Sequence, residues 1–168
     1  MKNIKLKKLV TASLLVALAV VGSTFSFPVF FSRCAPVQHI VNIFAAVGLG
    51  PFYGVVIAFL ASFLRNALGL GSLMAFSGSM VGALLCGIVY KNTKKLFLTG
   101  IAEIFGTSIL GGLLAYPVAV LLMGKSAASL AIYTYILPFF ISTTGGTIIA
   151  LLILARLKST RFLKELYN

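Results

Sequence analysis

The run Lys2–Phe31, KNIKLKKLVTASLLVALAVVGSTFSFPVFF, decides the class of fold. Lys2, Lys5, Lys7 and Lys8 give way at Leu9 to an apolar stretch that reaches Phe31. A secretory signal carries an apolar core of roughly 7–15 residues. This stretch is longer and close to the ~20 residues that cross a hydrocarbon layer, so it reads as a retained first membrane span.

The rest of the chain continues that pattern. Of 168 residues, 60% are hydrophobic and only 10% charged, with a mean hydropathy of +1.11. Soluble domains average roughly 45–50% apolar and about 25% charged residues. There is too little polar surface here to cover a water-facing globule, and too much hydrophobicity for disorder. The sequence predicts an all-α membrane protein forming a single integral membrane domain over 1–168. Any ATP-hydrolysing or DNA-reading module is expected on another polypeptide.

Hydrophobicity and helix breakers divide the chain into six elements at 9–31, 37–50, 51–68, 73–90, 96–123 and 130–157. The second is too short to span upright and meets the third at Gly50-Pro51, a helix stop followed by a helix start. The fifth and sixth run to roughly 42 Å at 1.5 Å per residue, so they tilt, project or bend. Pro117 and Pro138 are the expected kinks. Small residues at Gly50, Gly54, Ala58 and Ser62, and at Gly78, Gly82, Ala83 and Gly87, are spaced for close helix contact inside the bundle.

Charge sets the orientation. With fourteen Lys and Arg against two acids, Glu103 and Glu165, the net charge is +12. Lys2, Lys5, Lys7 and Lys8, then Lys91, Lys94 and Lys95, then Arg156, Lys158, Arg161 and Lys164 fall on one side if the chain crosses six times. Arg33, Arg65 and Lys125 fall on the other. The positive-inside rule then predicts that both termini are cytoplasmic. The cations are assigned to lipid headgroups rather than nucleic acid, because no basic stripe interleaves with exposed aromatics.

Polar groups inside a membrane are expensive and mark functional sites. The first concentration is Gln38, His39 and Asn42, spaced to share one face of a short helix; loop tie-down is the competing reading. The second is Arg65-Asn66 followed by Gly69, Gly71 and the Phe76–Ser79 run, where Arg65 either snorkels to the interface or binds. The third is Glu103, with Thr107 and Tyr116 further along its element and Ser142 on the sixth. Its depth, on the inner side of the midplane, argues against direct contact with a ligand loaded from outside. One His, two separated Cys and two distant acids offer no metal spacing. Gly124-Lys125-Ser126 lacks the first glycine of a phosphate loop. No Asp is present for a Ser-His-Asp triad or a paired-aspartate membrane enzyme, so the chain reads as neither an enzyme nor a cofactor protein. On the first element, Ser13 and Ala17 lie four apart, either as an internal seam or as a docking face for a partner.

The linked runs Ala35–Asn42, Leu49–Tyr53, Arg65–Gly71 and Ala75–Met80, with Glu103–Thr107 and Tyr116–Ala119, resemble the ThiW family over essentially the whole chain. Ser77 departs from the proline expected in that run. These are substrate-binding S components of energy-coupling factor (ECF) transporters, associated with uptake of the thiazole moiety of thiamin. The resemblance implies six helices in an S-component bundle, cytoplasmic termini in a prokaryotic cytoplasmic membrane, and no cofactor. It also implies a transmembrane coupling partner, EcfT, docked on Ser13 and Ala17, and two ATPase partners. Substrate is then captured from outside, and the S component topples to release it inside. The substrate-binding set carried forward is Gln38, His39, Asn42, Arg65, Asn66, Phe76, Ser79, Glu103, Thr107, Tyr116 and Ser142. A neutral hydroxyethylthiazole suits an apolar slot with few polar groups; a phosphorylated ligand would instead call on Arg65 and Arg33. Another vitamin, or a small oligomeric channel or scaffold, stands as the alternative.

Overall fold

The computed structural model of the chain describes residues 4–29, 32–126 and 130–157. Helix α1 (Ile4–Gly22) ends in a 3-10 turn, and a short antiparallel hairpin follows, β1 (Phe27–Val29) with β2 (Ser32–Cys34). Then come α2 (Pro36–Gly48), α3 (Pro51–Ala67), α4 (Met74–Thr93), α5 (Leu96–Leu121) and α6 (Ile136–Leu157). A π turn at Gly106–Gly111 interrupts α5. Four of these helices, α1, α4, α5 and α6, are long and apolar enough to cross a membrane. With 13 residues, α2 reaches only ~20 Å; with 17 residues, α3 sits at the lower limit of a span.

The first element is therefore shorter than expected. Gly22 and Pro28 lie inside what reads as a continuous apolar run, and the chain leaves the helix between them. Residues with high β propensity then pair, Phe27 with Cys34 and Val29 with Ser32. The last helix begins at Ile136, not Leu130, so Pro138 occupies its first turn, where no intrahelical amide is missed and no kink arises. Pro117 does lie inside α5, ahead of Leu121, and withholds an amide from the preceding turn. The helix begun at Met74 runs on to Thr93 and is stopped by Lys94 in the left-handed region (φ 54°).

The Gly50-Pro51 corner forms as the sequence predicts, with Gly50 at φ 88° and Pro51 opening α3. Small residues let α4 close on its neighbours. Gly54 of α3 abuts Ala83, and Gly87 is packed against Pro51. On the other flank, a Cβ at Gly111 would stand 2.6 Å from Gly78 Cα. The lipid-facing side is apolar: Leu14, Leu18, Phe59, Phe63, Ile148 and Leu152 are exposed.

Three apolar clusters hold the bundle. One joins α1 to α2 and α3 through Ala12, Val16, Val41, Ala45 and Ile57. A second, with Ile43, Val47, Tyr90 and Leu154, closes the end where α2 and α4 stop and α6 terminates. A third, with Met74, Ala119, Tyr135 and Phe139, closes the opposite end. The polar residues lie between these clusters, displaced toward the end where α4 and α6 begin.

Candidate functional site

The N-terminal half of α2 carries Gln38, His39 and Asn42, all buried. Asn42 Nδ2 donates to the Ser79 carbonyl at 3.1 Å and to Glu103 Oε1 at 2.9 Å. The Ser79 carbonyl can only accept, which fixes the amide: its oxygen must turn to Gln38. Gln38 Nε2 donates to that oxygen at 3.1 Å, and Gln38 Oε1 accepts from Arg65 Nη1 at 3.3 Å. The result is a one-way relay in which every donor points from Arg65 toward Glu103. It links α3, α2 and α5.

At the far end of the relay, Glu103 Oε1 collects two further donors. His39 Nδ1 lies 3.0 Å away and Thr107 Oγ1 3.3 Å away. On the other side of the ring, His39 Nε2 lies 3.4 Å from the Thr143 hydroxyl. Among the described residues, Glu103 Oε2 has no hydrogen-bond partner. It faces Gly82, where a Cβ would stand 2.8 Å from it and collide with Thr107 Oγ1. The glycine of α4 thus makes the room in which this acid is held.

A small cavity of about 40 Å³ sits above the relay. That is space for about three waters. Gln38, His39, Arg65, Ser79, Thr107 and Ser142 contribute its polar wall, and Ala75, Gly78 and Phe139 its apolar wall. Arg33 and Ala35, from the hairpin and the segment after it, form the roof. That roof is tied to α6: the Ala35 amide donates to Ser142 Oγ at 2.9 Å, and the Cys34 thiol to the Pro138 carbonyl at 3.2 Å. Burial pushes the Cys34 thiol up, which keeps it a donor. Ser79 donates to the Ala75 carbonyl at 2.7 Å and so accepts from Ser62 Oγ at 3.0 Å.

Six of the eleven residues expected at the site from sequence meet at this cavity. Asn42 and Glu103 lie behind its wall, hydrogen-bonded to Gln38, His39 and Thr107. Three residues stand elsewhere. Asn66 spends its amide on the Ser62 and Ser72 carbonyls, at 2.8 and 3.1 Å, and ties down the α3–α4 loop. The Phe76 ring packs on Phe59, with centroids 5.7 Å apart. Tyr116 is half-buried on α5, more than two turns beyond Thr107. The aromatic face that the cavity does possess, Phe139, carries no signal in an apolar run of this kind. Thr143 was equally invisible, although its spacing from Phe139 and Gly146 places it on the inner face of α6.

Arg65 does not snorkel. It is 4% exposed, and its Nε has no hydrogen-bond partner among the described residues. On α1, Ala12, Val16 and Ala19 face the bundle while Ser13 and Ala17 are exposed. An internal seam is thereby excluded for that pair.

The arrangement is a bundle of apolar helices holding a few polar side chains around a small hollow near one end. A solved structure described as the S component of a bacterial ECF transporter has this fold. It aligns with a TM-score of 0.76 at 24% identity, over 92% of this chain and 96% of that one. No curated relative matches the sequence. The model of the thiamine-precursor transporter (ThiW) family matches residues 9–160, and the chain belongs to that family. The family is one of transport proteins rather than enzymes.

Proposed function

We propose that this chain is the S component of an ECF-type importer and captures a thiamin precursor, hydroxyethylthiazole, in the cavity beneath Arg33 and Ala35. The observation that carries the reading is the fully buried polar relay under a hollow with one aromatic wall, within a chain of the ThiW family. The hollow as it stands holds only about three waters, so the ligand enters as the surrounding helices part. Its ring then lies against Phe139, and Gln38, His39 and Ser79 address its nitrogen and hydroxyl. Both termini are cytoplasmic, in a prokaryotic cytoplasmic membrane, so the cavity end faces outward. ATP-driven uptake comes from EcfT and two ATPases, with EcfT docking on the exposed Ser13–Ala17 face of α1.

Binding of radiolabelled hydroxyethylthiazole to the purified chain, against thiamin and the pyrimidine moiety, tests the substrate. Clear binding of another vitamin with none of the thiazole overturns that assignment. Replacing Ala17 with Leu tests docking: the variant is expected to fold and bind ligand yet fail to co-purify with EcfT. Unchanged co-purification removes the docking face.

A further inference from the structure

The cavity holds a cation that the relay leaves half used. Arg65 is buried in the cavity wall, bonded through Nη1 to a neutral amide at 3.3 Å, and its Nε has no partner among the described residues. Guanidinium stays charged in proteins, and a buried charge without a counter-charge is costly. The described residues include a single acid, Glu103, which is taken up by His39, Asn42 and Thr107. Arg33 adds a second cation in the roof of the same hollow. Whatever the state of Glu103, the cavity and its relay therefore carry excess positive charge before His39 is counted.

We propose that Arg65, with Arg33 above it, forms an anion seat in this cavity, and that the ligand presents it with a negatively charged oxygen group, a phosphate monoester or a carboxylate. The Arg65 guanidinium, in the cavity wall, is the inner donor group. The Arg33 guanidinium, exposed and carried on the hairpin tied to α6, closes on the anion from the mouth. Arg suits this work because its planar fork matches two oxygens of one group. For the ligand proposed above, the anionic form is the thiazole alcohol carrying a phosphate. Only that choice of ester rests on the substrate reading; the seat itself does not.

The test is calorimetric titration of the full purified chain with three probes: hydroxyethylthiazole, hydroxyethylthiazole phosphate and inorganic phosphate. Thermal unfolding is followed alongside. The ester is expected to bind at least about tenfold more tightly than the alcohol, and inorganic phosphate to raise the unfolding temperature. In Arg65→Gln the ester-to-alcohol ratio falls to about one and the phosphate stabilisation disappears. Arg33→Gln, a change at an exposed position, lowers the ratio part way and keeps the test open if the Arg65 variant fails to fold. Alcohol binding as tight as ester binding, with no effect of inorganic phosphate, overturns the seat and leaves the substrate reading standing. Stabilisation by inorganic phosphate that depends on Arg65, with neither thiazole bound, supports the seat and overturns the substrate. Silence from all three probes overturns both.

Discussion

The two halves of α2 have the same burial and opposite chemistry. In the N-terminal half, Gln38, His39 and Asn42 are withdrawn from solvent, and every one is hydrogen-bonded to another element, Gln38 to Arg65 of α3. In the C-terminal half, Ile43, Ala45, Ala46 and Val47 are equally buried and pack on α1, α4 and α6. A helix too short to span is thus anchored by apolar contact at one end and free to carry polar work at the other. The lesson is that the site is held by a dry foundation, not by its own hydrogen bonds alone.

Several substitutions probe that division. Glu103→Leu strands the His39, Asn42 and Thr107 donors inside the bundle and is expected to cost about 4 kcal/mol, the scale of breaking a buried pair. Thermal unfolding in detergent reads it, and an unchanged midpoint would show that the polar half contributes nothing to the fold. Ile43→Ala removes packing from the apolar half at about 3 kcal/mol. Ligand affinity of the molecules that remain folded should not move; a parallel loss of affinity breaks the division. Gln38→Leu cuts the relay between Arg65 and Asn42 while keeping the shape of the helix. The expected outcome is about a tenfold weaker ligand, equivalent to about 1.4 kcal/mol, with a smaller loss of stability. Asn66→Ala sharpens the contrast from outside the site. It removes two loop hydrogen bonds, worth about 1 kcal/mol in stability, and leaves binding unaltered.

The two polar concentrations near α2 and α3 looked alike in sequence and separate in the structure. Arg65 and Asn66 are neighbours, but a helical step of about 100° turns one into the hollow and the other toward the loop. No spacing rule distinguishes them, because Asn66 finds its partners in the Ser62 and Ser72 carbonyls, groups that every sequence possesses. The hairpin was hidden for a related reason. Gly22 and Pro28 signalled a break, yet a run of Phe and Val is as apolar in a strand as in a membrane helix. Glu103 was legible as a lone intramembrane acid. Its donors were not, since they come from α2 and from the π turn, which the glycines at 106 and 111 permit through close approach to α4.

The sequence by itself determined that this is a membrane protein, with helices broken at Gly50-Pro51 and small-residue contacts along α3 and α4. These follow from composition and local backbone preference, which need no knowledge of distant residues. Tertiary structure alone decided which polar residues share a hollow. A buried donor must find its acceptor wherever the packing of apolar helices happens to bring one. Residues 38, 65, 79 and 103 become partners only when α2 is wedged among α3, α4 and α5.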